Sequence, residues 1–230
     1  MTRARIFAAL LLGCAAAFAI FARWPGLDLW ATGIFHDPVT GFTAADDGVP
    51  NTLRLVVWRL SEGLLAAALA ALAVGLRTGA DVLAVPRRVW AYVVLLYILG
   101  PGLLVDAILK PIWGRARPAD VAEFGGALRF TPPHVMSGEC ARNCSFTAGE
   151  VAGVVALAVS VMVILASLRP GVSALVWRSS LAAMILLSLF VAYQRIAGGR
   201  HFLSDAIFST LFVGIVALVL HAALFRRRAP

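Results

Sequence analysis

The sequence predicts an all-α membrane protein, built as one bundle of six transmembrane helices. Hydrophobic residues make up 61% of the 230 residues and charged residues only 14%, whereas a soluble domain is about half apolar and about a quarter charged. The apolar residues fall in six runs, most of them near the roughly 20 residues that a helix needs to cross a bilayer. We therefore expect one integral-membrane domain over residues 1–230, without a large soluble domain.

The predicted spans are separated by short turns and by two long polar connections, 23–52 and 111–146. Pro101-Gly102 predicts a kink in the third span. The 111–146 connection is the longest, and loops of that length in compact proteins usually have a function. In chain order, the spans cover residues 6–22, 53–76, 89–110, 147–168, 179–194 and 201–225.

Charged residues inside the second and third spans have to face protein, water or headgroups, because charges in hydrocarbon are costly. Arg59 and Glu62 are three residues apart, and Asp106 and Lys110 are four apart, so each pair can share a helix face and form an ion pair. Arg59 either faces a phosphate or extends to the membrane interface. Lys110 is the only lysine among 20 basic residues, which makes it a candidate functional residue, although chance retention gives the same pattern.

The distribution of arginine predicts the orientation in the membrane. The net charge of +8 comes mostly from arginines that flank apolar runs, a pattern that the positive-inside rule explains without nucleic-acid binding. The N-terminus, the 77–88 and 169–178 loops and the C-terminal arginines at 226–228 fall on one side, which we expect to be cytoplasmic. The short 195–200 connection is basic and lies on the opposite side, and an anion site would explain that exception.

The turn before the sixth span carries a candidate nucleophile. His201 and Asp205 are four residues apart, so a helix that begins near His201 would place both on one face. A carboxylate one turn away can orient an imidazole and stabilise its cation. Arg195 and Arg200 add positive charge next to a helix N-terminus, which attracts anions. The alternatives are a structural histidine and a plain basic loop.

Two motifs carry a resemblance to a known family. The first reads Lys110-Pro-Ile-Trp-Gly-Arg-Ala-Arg117-Pro118, and the second has Arg195, His201 and Asp205 in an Arg-x5-His-x3-Asp pattern. Together with the six-span plan, these motifs resemble the type 2 phosphatidic acid phosphatases (PAP2 superfamily), which share a core with vanadium haloperoxidases. The resemblance implies a phosphatase that needs no metal and no cofactor.

The resemblance also implies a role for each residue of these two motifs. Lys110, Arg117 and Arg195 would bind phosphate oxygens. His201 would attack phosphorus and form a phosphohistidine, and Asp205 would orient and polarise His201. These roles agree with phosphoryl transfer, in which cationic groups stabilise charge on the equatorial oxygens.

The middle motif of the family departs from its usual Pro-Ser-Gly-His form. This chain has Thr147, Ala148, Gly149 and Glu150 at those places. Gly149 would offer a backbone N–H to the phosphate, Glu150 would act as the acid/base residue in place of the histidine, and Thr147 or Ser145 would replace the serine hydroxyl. The alternative is that Glu150 only caps the start of the fourth span, where acidic residues are favoured.

Two of the three cysteines lie in the outer connection. Cys140 and Cys144 have three residues between them, and we expect a disulfide there in an oxidising periplasm. Cys14 lies inside the first apolar run, which predicts a packing role.

The predicted function is an integral membrane phosphatase of the bacterial inner membrane, with cytoplasmic termini and a periplasmic active site. Its substrate would be a lipid phosphate such as lipid A, undecaprenyl pyrophosphate or a phospholipid phosphate, and its other partners membrane lipids but not nucleic acid. The loss of the usual serine and histidine leaves two alternatives: a lipid phosphotransferase with the same site, or a non-catalytic membrane protein on this scaffold.

Overall fold

The fold is helical, and the predicted all-α class with six spans is confirmed. The computed structural model describes residues 2–44, 48–169 and 171–225. The described residues contain isolated β-bridges but no sheet. Six segments are long and apolar enough to cross a membrane. They are α1 (Arg3–Arg23), α3 (Gly48–Thr78), the segment that starts at Arg87, α6 (Gly149–Ser167), α7 (Ala174–Ala197) and α8 (Leu203–Leu224).

The third span is made of three consecutive helical pieces. It begins as α4 (Arg87–Tyr97), continues as a wider π-helix over Ile98–Leu109, and ends as α5 (Lys110–Trp113). Pro101, where the sequence predicts a kink, lies inside this π-helix, and proline has no N–H to donate to a regular α-helical ladder. The last piece ends at Gly114, whose positive φ of 55° turns the chain into the long 111–146 connection.

A short helix inside the 23–52 connection was not predicted. Helix α2 spans Gly26–Gly33 and carries Asp28 in its first turn. Asp28 is completely buried and accepts hydrogen bonds from the backbone N–H and the hydroxyl of Ser204, at the start of α8. The connection is therefore packed against the bundle, at the end where α8 begins.

The core lies where α4, α6 and α8 meet. Tyr92 on α4 donates a hydrogen bond to the Ala217 carbonyl on α8, at 3.1 Å. Ser61 on α3 bonds both the Tyr97 hydroxyl, at 2.9 Å, and the Gly153 carbonyl of α6. These bonds hold α3, α4, α6 and α8 together, and the predicted site residues lie at one end of that bundle.

The predicted cytoplasmic side rests partly on residues that the structure does not describe. The 77–88 loop is described throughout, while Pro170 in the 169–178 loop and the arginines at 226–228 lie outside the described residues. The orientation in the membrane stays a prediction.

Candidate active site

A cavity of about 340 Å³ opens at the end of the bundle where the predicted site residues gather. Five of the side chains that line it are cationic and two are acidic, so the cavity suits an anionic ligand. Among the residues given a role in the predicted site, six line the cavity and three, Asp205, Thr147 and Ser145, do not. The lining residues are Arg54, Trp58, Asp106, Lys110, Arg117, Asn143, Gly149, Glu150, Arg195, Arg200 and His201.

The turn between α7 and α8 brings His201 next to Arg195. The backbone N–H groups of Arg200 and His201 both donate to the Arg195 carbonyl, at 3.0 and 3.1 Å. Gly199 has a positive φ of 63°, and a side chain there would overlap the ring of Phe42. Glycine is needed at this position because both the backbone conformation and the space exclude a Cβ atom.

The contacts of the His201 ring define its tautomer. Nδ1 lies 2.8 Å from the backbone carbonyl oxygen of Ser145. Since a carbonyl only accepts hydrogen bonds, Nδ1 carries the proton and Nε2 keeps its lone pair. Burial lowers the pKa of His201, Lys110 and Arg117 lower it further, and only Asp205 opposes them. The imidazole is therefore neutral near neutral pH, as a nucleophile requires.

Asp205 lies behind the His201 ring and is held by further partners of its own. Its carboxylate is 3.8 Å from Nδ1 of His201. It accepts a hydrogen bond from the Ser145 hydroxyl and another, at 2.8 Å, from the Phe202 N–H. Ser145 also links the two residues, because its carbonyl oxygen accepts from the His201 ring and its hydroxyl donates to Asp205. The orienting role of Asp205 stays a prediction.

Arg115 joins Asp205 to helix α2, and the sequence did not single it out. The guanidinium is completely buried. It donates to Asp205 at 2.6 Å, to Asp28 at 2.8 Å and to the Thr131 carbonyl at 2.7 Å. It also lies 4.3 Å from the centre of the Phe202 ring. Burial raises the pKa of Asp28, and the charge of Arg115 opposes that rise. A buried charge network of this kind is tolerated only when every member is hydrogen-bonded.

Glu150 contacts two arginines at once. One carboxylate oxygen lies 2.8 Å from Arg195 and the other 2.7 Å from Arg54. Both oxygens therefore accept N–H donors, a geometry that favours the carboxylate over the protonated acid. The role of Glu150 as an acid/base residue stays a prediction, and the observed contacts favour a positioning role.

The other two residues of the middle motif lie in different surroundings. A Cβ atom on Gly149 would lie 2.8 Å from Nζ of Lys110, so glycine is what allows the lysine to approach the start of α6. Gly149 is also the first residue of α6, where backbone N–H groups have no partner within the helix. Thr147 is fully buried, and its hydroxyl has no partner among the described residues. Thr147 is not among the residues that line the cavity, and its role in phosphate binding stays a prediction.

The predicted ion pairs and the cysteine pair are all present. Lys110 pairs with Asp106 at the cavity wall, and Arg59 pairs with Glu62 at 2.7 Å on an exposed part of α3. The sulfur atoms of residues 140 and 144 are joined, and Cys14 is a buried free cysteine.

The cysteine loop holds one of the cavity arginines. Nε of Arg117 donates to the carbonyl of Asn143, within this loop, at 3.0 Å. No group of three His, Cys, Asp or Glu residues that would suit a metal ion occurs in the described part of the chain.

Comparison with known proteins assigns the family. Residues 90–229 match the model of the PAP2 superfamily. The chain belongs to the PAP2 superfamily. Three bacterial relatives are each named lipid A 4'-phosphatase. The relative from Rhizobium leguminosarum is 31% identical over 222 residues, which cover 91% of this chain and 90% of the relative.

The two other relatives carry the same name. The protein from Rhizobium etli is 31% identical over 91% of this chain and 82% of its own length. The protein from Francisella tularensis subsp. novicida is 32% identical over 62% of this chain, and the match spans 61% of that relative. No solved structure matches this PAP2 chain.

Proposed function

We propose that this membrane lipid phosphatase removes the phosphate of a lipid A-type headgroup by transferring it to Nε2 of His201. The names of three relatives support the substrate class. The observation that carries the proposal is the environment of the His201 ring. Its Nδ1 is held by a backbone carbonyl, and the cavity beside it is lined by five cationic side chains.

In the first step, Nε2 of His201 attacks phosphorus and the bond to the ester oxygen breaks. That oxygen leaves with the electron pair and takes a proton from water. Lys110, Arg117 and Arg195 line the cavity and stabilise the charge on the phosphoryl oxygens, and the N–H of Gly149 binds one of them. The phosphohistidine ring carries positive charge, which the carboxylate of Asp205 stabilises from 3.8 Å.

In the second step, water attacks the phosphohistidine. The bond between nitrogen and phosphorus breaks, its electron pair returns to Nε2 and a proton from the water passes to solvent. Inorganic phosphate leaves, and the neutral imidazole is regenerated. Throughout both steps Nδ1 keeps its proton, because the Ser145 carbonyl accepts it at 2.8 Å.

The proposed location is the bacterial inner membrane, with the cavity on the periplasmic side. The basic 77–88 loop lies at the opposite end of the bundle from the cavity. The positive-inside rule places such a loop in the cytoplasm.

The test is phosphate release by the purified protein from lipid A, undecaprenyl pyrophosphate and phosphatidic acid. We expect the wild type to act on lipid A and His201→Ala to be inactive. Movement of the phosphate to another lipid would identify a phosphotransferase instead. Equal release by the wild type and His201→Ala, or none from any of these lipids, would contradict the proposal.

A further inference from the structure

We infer that Arg54 is an additional phosphate-binding residue, and that Glu150 is the positioning residue that holds Arg54 and Arg195 at the spacing of one phosphate. The inference rests on the proposed phosphate chemistry of this cavity. Arg54 lies on α3, outside residues 90–229 that match the family model. The family resemblance therefore gives it no role.

Arg54 has the fixed geometry of a binding residue. Its Nε and Nη2 donate to the side-chain oxygen of Asn51, at 3.0 and 2.8 Å, and its Nη1 donates to Glu150 at 2.7 Å. Its side chain is only 13% exposed, and it lines the cavity. A guanidinium has five N–H groups, so two remain without an acceptor among the described residues. A surface arginine is rarely held by three hydrogen bonds from fixed directions, because its side chain is flexible.

Arg195 depends on Glu150 in the same way. Its Nη1 donates to Glu150 at 2.8 Å, while its Nε is buried and has no acceptor in the described part of the chain. The Glu150 carboxylate is thus the contact that fixes this guanidinium. Arg195 comes from the last turn of α7, and Glu150 from the first turn of α6. The single carboxylate of Glu150 on α6 therefore fixes the positions of one arginine from α3 and one from α7 at the cavity.

The spacing of the two guanidinium groups points to their ligand. Their Nη1 atoms bind the two oxygens of one carboxylate and both side chains line the cavity, so both can present their remaining N–H groups to one phosphate there. Arginine presents paired N–H donors that match phosphate, and charge-assisted hydrogen bonds of this type are among the strongest in proteins. We assign Arg54 and Arg195 to the same transferred phosphoryl group.

A positioning role and an acid/base role for Glu150 predict different effects when the carboxylate is removed. Without the carboxylate the two arginines repel each other and lose their fixed spacing, so substrate and phosphate bind less tightly. Loss of an acid/base group instead lowers kcat and removes one limb of the pH–rate profile, with little change in binding. A carboxylate that merely blocked the cavity would give tighter phosphate binding when removed.

The experiment measures the Kd of inorganic phosphate by calorimetry and the steady-state constants for lipid A, on the full chain in detergent. We expect Arg54→Gln and Glu150→Gln each to weaken phosphate binding and raise KM by about tenfold to a hundredfold, as for a lost charge-assisted hydrogen bond. The shape of the pH–rate profile stays unchanged. Arg54→Lys should bind phosphate more tightly than Arg54→Gln and less tightly than the wild type, because lysine keeps the positive charge but lacks the paired N–H donors of arginine.

Arg59→Gln is the matched control, because Arg59 lies five residues further along α3 in an exposed ion pair with Glu62 and does not line the cavity. It should leave both constants unchanged. The inference is overturned if Arg54→Gln binds phosphate as tightly as the wild type does. It is also overturned if Glu150→Gln changes the shape of the pH–rate profile while its affinity for phosphate stays normal.

Calorimetry separates this inference from the proposed substrate. Phosphate binding that depends on Arg54 supports the inference even if lipid A is not cleaved. A wild-type protein without measurable affinity for phosphate overturns it whatever the substrate.

Discussion

Helix α8 has a histidine near each end, and the two have different surroundings. His201 lies just before the helix, holds the Ser145 carbonyl and faces a cavity with five cationic side chains. His221 lies in the last turn, against the rings of Tyr92 and Phe225. The cavity beside it is larger, about 490 Å³, but Arg88 is the one charged residue among those that line it. The size of a cavity therefore does not identify the site. The site is identified by the charged side chains that helices other than α8 bring to the cavity.

The largest expected effect comes from the histidines themselves. We predict that His201→Ala lowers kcat for phosphate release by roughly three orders of magnitude or more, as when a nucleophile is removed. His221→Ala should change it less than about twofold, because that ring packs against the rings of Tyr92 and Phe225 at the other end of α8, away from the cavity that His201 lines. A similar loss of kcat in both variants would contradict the assignment of the active site to the end of α8 that carries His201.

The next effect concerns the buried charges behind His201. Replacing Arg115 by methionine leaves Asp28 and Asp205 without their shared partner in a fully buried position. We expect a loss of about 3–5 kcal/mol in stability, the usual result of breaking a buried ion pair. Thermal unfolding of the detergent-solubilised protein measures it. Arg88→Gln, beside His221 at the end of the bundle opposite the site, should shift Tm far less, and equal shifts would contradict this difference.

The pH dependence of kcat/KM is expected to report the protonation of His201. His201 has a pKa below its usual value through burial, with Lys110 adding to the effect and Asp205 opposing it. Activity needs the neutral ring, so it is retained above pH 6.5 and lost as the pH falls through the lowered pKa. Lys110→Gln should move this acid limb to higher pH, and Asp205→Asn to lower pH. Shifts in the same direction would contradict the assignment of the limb to His201.

The smallest effect is expected from the cysteine loop. Residues 140 and 144 close the loop whose Asn143 carbonyl accepts a hydrogen bond from Arg117. We predict that Cys140→Ser with Cys144→Ser raises KM a few-fold without changing kcat, because Arg117 is held less firmly. Mass spectrometry should show the two wild-type cysteines protected from alkylation without reductant. Full alkylation would rule out the disulfide.

The residues predicted from motifs gather in one cavity because each lies at a helix end on the same side of the bundle. Lys110, Gly149, Arg195 and His201 are placed this way by the alternation of apolar runs and polar turns, which the sequence displays directly. The ion pair between Asp106 and Lys110 follows from helical spacing alone and was also predicted.

The residues that the sequence did not reveal depend on contacts between distant segments. Arg115 meets Asp28 across 87 residues, and Arg54 meets Glu150 across 96 residues. No local period encodes such a distance. Helix α2 has eight residues, too few for a clear hydrophobic pattern. One signal was present: Arg54 is a charge in an apolar span, which marks a functional residue by default.

The site of covalent phosphorylation tests the account most directly. The wild-type protein is mixed with 32P-labelled lipid A, quenched within milliseconds under alkaline conditions that preserve phosphohistidine, and digested for mass spectrometry. We predict label on Nε2 of His201, since Nδ1 is held by the Ser145 carbonyl. Label on Nδ1, label on another residue, or rapid phosphate release with no labelled protein would contradict it.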